Sequence, residues 1–154
     1  MNYETLEDLV ANTLDIEGAE VKVLPHVATL NVPRDTKKPV LYVILHGGIF
    51  EEPENLAVIS QLENIRGEIF ICSKDRRGPM GIFDLYEKIT VKLLGVRIPG
   101  TKHAITFDQF DYVAGIQNNW QYALGFSFTA YRVEADRPDN DPLMKKITNN
   151  VEVR

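Results

Sequence analysis

The sequence is poor in the residues that form disulfides, metal sites and catalytic sites. Its 154 residues include one cysteine and three histidines, which excludes an intramolecular disulfide and a Cys-x-x-Cys metal knuckle. The histidines, His26, His46 and His103, are too scattered to indicate a zinc site by their spacing. A Walker A motif, a GxGxxG motif and a G-x-S-x-G nucleophile elbow are all missing. We therefore predict no metal, no cofactor and no enzymatic activity.

Long apolar runs and an excess of basic residues are also lacking. The longest apolar run, residues 40–45, has the length of a strand and not of a membrane span. Residues 1–14 contain three acids where a targeting segment would have basic residues. With 17 Lys and Arg against 22 Asp and Glu, the net charge is -5, which argues against binding nucleic acid through a broad basic face. We expect a soluble protein, made in a reducing cytoplasm, with no membrane partner.

What the sequence does contain is the pattern of one α+β domain. Residues 3–14 and 82–93 have apolar side chains at helical spacing, with Asn2 as the N-cap of the first helix and Gly95 closing the second. Apolar runs predict strands at residues 20–24, 40–45, 69–72 and 105–113. The last strand needs a β-bulge near Asp108, because its apolar positions change phase there. Segment 51–64 is predicted to be acidic, irregular and solvated.

The clearest pattern is a strict alternation over residues 120–128. Trp120, Tyr122, Leu124, Phe126 and Phe128 define one aromatic face, which we expect to be buried, and small or polar residues define the other. If this strand continues to residue 133 it spans ~46 Å, so a hairpin over about 105–133 would extend past the body of the domain. We predict a mixed or mostly antiparallel sheet, with helices on one face, in domain 1–134. A polar, extended C-terminal arm, 135–154, follows it.

Two local features have a chemical and a structural interpretation. His46-Gly47-Gly48 is similar to the oxyanion loop of esterases, but without a nucleophile elbow the glycines favour a β-bulge or a strand end. Cys72 lies within an apolar run, so a small buried side chain is favoured over a nucleophile.

Surface contacts are the more informative candidates. Arg76 and Arg77 lie in a predicted turn and are either solvated or donors of ion pairs between subunits. The small side chains opposite the aromatic face are either solvent-exposed or approached closely by another surface. The candidate contact residues are Arg76, Arg77, Gln121, Ser127, Thr129, Arg132 and Arg137.

A family resemblance follows from the order of these elements. An acidic N-terminal helix precedes "VLYVILHGGIFEEP", then "RGEIFICSKDRRGPMGIFDLYEKITVKLLG" with Arg76-Arg77 and a Gly-led helix, and finally the aromatic strand "WQYALGFSFTAYRVE". Over residues 1–135 the chain resembles the tail terminator, or tail completion, proteins of Mu-like phages with contractile tails. Segment 135–154 has no counterpart in this resemblance.

The resemblance implies a non-enzymatic structural role in the virion. Such proteins form a six-fold ring that caps the head-proximal end of the tail tube, ends tube polymerisation and provides the surface for the head-side connector. The implied partners are copies of this chain, the tail tube protein and the connector or stopper, with the tail sheath as a further candidate. The ring would assemble in the host bacterial cytoplasm. DNA would pass through its lumen without specific binding, and an acidic protein suits that passage.

Two alternatives remain open. One is another neck protein of the virion, such as a head–tail stopper, which would differ in its position in the particle. The other is a small cytoplasmic module that binds a ligand or hydrolyses one. A deep pocket with His46 and an acid at hydrogen-bond distance would favour this module, whereas a flat surface with exposed strand edges would favour an assembly protein.

The predicted arm leads to a first test. We expect deletion of residues 135–154 to weaken ring assembly while the domain stays folded, because an arm that lies on a neighbour adds contacts between subunits and none to the core. Circular dichroism melting checks the fold and a tube-capping assay checks function. A truncated protein that caps tubes as well as the full chain would contradict a role for the arm.

Overall fold

Two helices and five strands make up the described part of the computed structural model, which covers residues 2–24, 38–54, 57–116 and 118–135. In chain order they are α1 (Tyr3–Thr13), β1 (Glu20–Val23), β2 (Val40–Phe50), β3 (Ser60–Ser73), α2 (Ile82–Leu93), β4 (Thr101–Ile116) and β5 (Asn119–Val133). The strands form one sheet in the order β1-β2-β3-β5-β4. Of the strand pairs in the described ranges, β1 with β2 is parallel and the other three are antiparallel. The predicted α+β class, with a mixed and mostly antiparallel sheet, is confirmed.

Both predicted helices are present, and their ends follow from local hydrogen bonds. The Asn2 side chain accepts a hydrogen bond from the Thr5 N–H at 2.8 Å, which confirms the N-cap. Helix α1 ends at Thr13, one residue before the predicted end, because Leu14 is already its C-cap. After α2, Gly95 has a φ of +80° and donates its N–H to the Ile105 carbonyl at 2.8 Å, as expected of a closing glycine.

One face of the sheet packs against both helices, and we call it the helix-side face; the other is the open face. The main core lies between the helices and the helix-side face. It is built from Leu6, Val10 and Leu14 at α1, from Ile82, Leu85, Ile89 and Leu93 of α2, and from alternate residues of the strands, including Leu41, Val43, Ile65, Ile69, Ile71, Leu124 and Phe126. A smaller cluster of Val40, Tyr42 and Cys72 lies apart from this core. Residues 40–43 of β2 are therefore buried on both faces of the sheet.

Strands β2, β3 and β4 are longer than the apolar runs that predicted them. Strand β2 continues through Gly47 and Gly48 to Phe50, with a register shift between Leu45 and Gly47. The bulge interpretation of the two glycines is therefore confirmed. Strand β3 begins at Ser60, so the prediction of an irregular segment 51–64 is wrong for residues 60–64. Polar residues enter this strand because cross-strand pairing with β2 and β5 stabilises it without requiring an apolar run.

Strands β4 and β5 form the long hairpin that the alternation predicted. Strand β5 runs to Val133, and β4 shows a register shift between Phe107 and Gln109, at the predicted bulge. The shift allows both Phe107 and Phe110 to pack against the main core. Of the predicted arm, only residue 135 lies within the described residues, so the division at 134/135 stays a prediction.

Phe126 packs closely against Gly67 in the centre of the sheet. The two residues are paired in register, and a Cβ on Gly67 would lie 2.7 Å from Phe126 Cζ and 2.5 Å from the Ile44 carbonyl oxygen. We predict that Gly67→Ala lowers the free energy of unfolding by about 1–3 kcal/mol, because the added methyl group overlaps both the Ile44 backbone and the Phe126 ring, which would have to shift to make room.

The matched control is Gly115→Ala in β4. There, among the described residues, an added Cβ would meet only the Tyr112 hydroxyl, at 3.6 Å, and we expect a change within about 0.5 kcal/mol. Urea unfolding measures both variants. Equal stability of the Gly67 variant and the wild type would contradict the packing argument.

Candidate functional site

The turn that carries the two candidate arginines is held by hydrogen bonds. Ser73 Oγ donates to the Met80 carbonyl at 2.8 Å, and the Met80 N–H donates to Asp84 Oδ2 at 2.9 Å. This backbone hydrogen bond holds the pKa of the Asp84 carboxyl below its usual value. At Gly81, an added Cβ would lie 2.8 Å from the Arg77 carbonyl oxygen. These contacts fix the conformation of the turn between β3 and α2, so the backbone that carries Arg76 and Arg77 has a defined position.

Arg76 lies among aromatic rings at the tip of the hairpin. Its Nε donates to the Tyr122 hydroxyl at 2.9 Å, and its guanidinium carbon lies 5.1 Å from the Phe83 ring centre and 5.8 Å from that of Trp120. The Tyr112 ring centre is 6.2 Å from that of Trp120. Arg76, Phe83, Tyr112 and Trp120 are all exposed, and we call them the tip patch.

Trp120 corrects one expectation about the alternating strand. Tyr122, Leu124, Phe126 and Phe128 are buried as predicted, but Trp120 is 37% exposed. It lies two residues closer to the hairpin turn than Tyr122, whose ring is met edge-on by Phe83 of α2. The helix layer thus ends where the tip patch begins.

Three candidate residues share the open face along β5, as the alternation predicted. Thr129 is buried, and its hydroxyl donates to Asn64 Oδ1 at 2.8 Å. The Ser127 hydroxyl lies 3.4 Å from that of Thr106, and Gln121 is half-buried. Of these three side chains, Gln121 and Ser127 retain exposed surface, while that of Thr129 is already engaged within the sheet.

Arg132 lies on the helix-side face, away from those three residues. Its Nε donates to Glu63 Oε1 at 2.6 Å, and the Tyr3 hydroxyl donates to Glu63 Oε2 at 2.7 Å. Burial, followed by this hydrogen bond, raises the pKa of Tyr3 to about 12. A Cβ at Gly48 would collide with the Glu63 side chain at 2.5 Å, so glycine leaves the room that the carboxylate occupies.

Glu63 is a polar residue whose burial was predicted wrongly. It was predicted in a solvated acidic segment, but it is 3% exposed. It belongs to the helix-side face because it follows the same alternation as Ile65, Ile69 and Ile71 in β3. Extending that two-residue period backwards from the apolar run would have identified it.

Of the remaining two candidates, Arg77 is exposed in the turn beside Arg76, and no carboxylate among the described residues lies within 4.0 Å of its guanidinium nitrogens. Arg137 lies outside the described residues. The six described candidates do not form one site. They divide between the turn at the hairpin tip, the open face, and the hydrogen-bonded group of Tyr3, Glu63 and Arg132, which we call the Glu63 network.

A shallow depression on the open face contains His46. It has a volume of about 290 Å³ and is lined by His46, Arg66, Gly67, Glu68, Asp108, Gln109 and Gly125. His46 Nε2 lies 3.2 Å from Glu68 Oε1, and the Asp108 carboxylate covers Gly125 so closely that a Cβ there would collide with it. An imidazole and an acid are thus at hydrogen-bond distance. The lining contains no hydroxyl or thiol group to act as a nucleophile.

The sequence's other chemical candidates can also be placed. Cys72 is buried, and burial raises its pKa to about 11, as expected for a thiol that packs and does not react. Across the described residues, no group of three or more His, Cys, Asp and Glu could hold a metal ion. Neither described helix is long and apolar enough to cross a membrane.

Comparison with known protein families gives one finding that bears on function. A family model described as Gp37 protein matches residues 18–151. The matched stretch contains β1 to β5 and α2, and it covers well over half of the chain. No curated protein matches the chain.

Arg132, in the Glu63 network, and Arg77, in the exposed turn, should affect the free energy of unfolding differently. We predict that Arg132→Ala destabilises the fold by about 1–3 kcal/mol, because it removes a charge-assisted hydrogen bond from a buried carboxylate. Arg77→Ala should leave the free energy of unfolding within about 0.5 kcal/mol of the wild type. Urea denaturation at pH 7 measures both. If the two variants were equally stable, the network would have no structural role.

Proposed function

The chain belongs to the Gp37 family, a phage-associated protein family, and from this premise we propose that it is a tail terminator of a contractile-tailed phage. Membership makes it a phage protein related to the virion. The finer role rests on the resemblance of residues 1–135 to tail completion proteins. In this role, copies of the chain form a six-membered ring on the head-proximal end of the tail tube. The ring stops polymerisation and offers its upper surface to the head-side connector.

The observation that carries the proposal is the tip patch. Three aromatic rings and an arginine are exposed together at the end of a long hairpin. Aromatic residues and arginine are the residues that contribute most to binding energy in protein interfaces. A contiguous exposed apolar surface of this kind favours a protein partner over solvent. An assembly protein needs such a surface, whereas a protein that acts alone does not.

The charge of the chain supports a ring through which DNA moves. With a net charge of -5, the ring as a whole repels phosphates and would not retain the DNA that passes through its lumen. The proposed partners are further copies of the chain, the tube protein, the connector or stopper and, as an additional candidate, the sheath. A stopper elsewhere in the neck is the closest alternative, and its position in the particle would distinguish it.

A ligand-binding or hydrolytic module is the second candidate, favoured by the His46–Glu68 pair in its depression. The volume of this depression, about 290 Å³, lies just below the usual range for sites that bind small molecules. The two candidates differ in what the purified protein does: the terminator must bind itself and a tube end, and the module must bind neither.

The test measures the mass of the purified chain across a concentration series, with negative-stain images at the highest concentration. We expect particles of about six subunits. In parallel, the chain is added to growing tubes of the tube protein from the same phage, and we expect shorter tubes with one capped end. Monomers that leave tube length and tube ends unchanged would overturn the proposal and favour the module.

A further inference from the structure

A second exposed apolar patch lies at the opposite end of the sheet from the tip patch. Its members come from the end of β2, the two residues before β3 and the end of β5, and we call them the base patch: Ile49, Val58, Ile59, Tyr131 and Val133. Ile49 is 55% exposed and Val133 is 59% exposed. The Glu134 N–H donates to the Ile59 carbonyl at 2.8 Å, and the Ile59 N–H donates to Glu134 Oε1 at 2.9 Å. These two hydrogen bonds join the chain before β3 to the chain after β5 and hold the backbone under the patch.

The two patches carry opposite charge. Beside the tip patch, the exposed residues 74–77 comprise three basic side chains and one acid. Beside the base patch, the exposed acids are Glu51, Glu52, Glu54 and Glu134, against two bases, Lys102 and the half-buried Arg132, whose Nε donates to Glu63. The Lys102 Nζ lies 3.9 Å from Glu54 Oε1 and 5.6 Å from the Tyr131 ring centre, so the acids predominate at this end. Two tip patches would repel each other, as would two base patches, whereas a tip patch and a base patch attract.

The patches also lie on opposite faces of the sheet. Trp120 belongs to the helix-side face and Tyr131, an odd number of residues further along β5, belongs to the open face. Eleven residues of strand separate them by ~36 Å. A copy that lays its tip patch on the base patch of the next copy therefore leaves its own base patch free for a third.

We propose that copies of this chain associate head to tail, with the tip patch of one copy on the base patch of the next. The inference rests on the proposed ring and specifies its subunit interface. Unlike surfaces of this kind make heterologous contacts, and such contacts close into a ring when the rotation between subunits permits. A self-complementary patch would instead stop at a two-fold dimer.

Strand addition at the sheet edge is a poorer route to the same ring. Strand β4 forms one edge, and its pairing with β5 is interrupted by four register shifts. Bulges of this kind twist an edge strand and oppose edge-to-edge pairing. Strand β1 forms the other edge and has only four residues, and short edge strands likewise oppose pairing with another chain. Contacts through the side chains of the tip patch and the base patch are therefore favoured over strand addition.

The test uses two variants that each disable one patch. Tyr112→Asp places a charge in the tip patch, where the ring is 56% exposed, and Ile49→Asp does the same in the base patch. We expect each variant alone to be monomeric at concentrations where the wild type forms rings. Mixed in equal amounts, they retain one usable contact and should form a one-to-one dimer that grows no further. Light scattering after size exclusion measures all three masses.

The matched control is Val91→Asp on α2, where the side chain is 82% exposed and belongs to neither patch; it should assemble as the wild type does. A second pair, Arg77→Glu and Glu52→Lys, changes only exposed charges outside the core, in case a first-pair variant fails to fold. Each of these should weaken assembly alone, and their mixture should restore it.

The possible outcomes distinguish a failure of the proposed interface from a failure of the proposed function. If the wild type forms rings but the patch variants form them equally well, the head-to-tail interface is wrong and the terminator proposal stands. Folded variants whose mixture yields no dimer, or a variant that dimerises with itself, would likewise overturn the interface. If the wild type neither associates nor binds tube ends, the proposed function fails, and the interface fails with it.

Discussion

The pairing of β3 with β5 is the constraint on which the rest of the structure depends. Fourteen residue pairs, from Ser60–Val133 to Ser73–Trp120, follow one another without a register shift. A slip by one residue would turn every side chain of one strand to the other face. This register places Phe126 on Gly67 and brings Arg132 to Glu63, and it leaves Gln121, Ser127 and Thr129 on the open face. The helices, the buried carboxylate and both exposed patches all take their positions from it.

The length of this pairing also separates the two exposed patches. At the tip, α2 begins at Ile82 and its Phe83 meets the ring of Tyr122, so Trp120, two residues nearer the turn, is exposed on the helix-side face. At the other end of the same 15-residue strand, Tyr131 and Val133 are exposed on the open face, which neither described helix covers. The proposed ring requires two unlike surfaces on each subunit, and a strand of this length holds the two patches apart.

Local patterns were enough to predict most elements. Helical spacing and capping located α1 and α2, and the alternation from Trp120 onwards located β5, because neighbouring residues alone determine amphipathicity. Polar stretches were the weak point: residues 60–64 were predicted to be irregular, yet they form part of β3. Their strand conformation depends on partners that are distant in sequence, which a single-sequence pattern does not contain.

The sequence by itself determined the fold class, the two amphipathic helices, the bulge near Asp108 and the burial of Cys72, since each follows from side-chain chemistry over a few neighbouring residues. Only the tertiary structure decided which candidates act together. It separated Arg76 from Arg132 and buried Glu63 against Tyr3, and it grouped Ile49 with Tyr131 at one end. The reason is physical: the β3–β5 register joins residues that are far apart in the sequence, from Ser60 with Val133 to Ser73 with Trp120, and the pairing energy that selects it is spread over two whole strands.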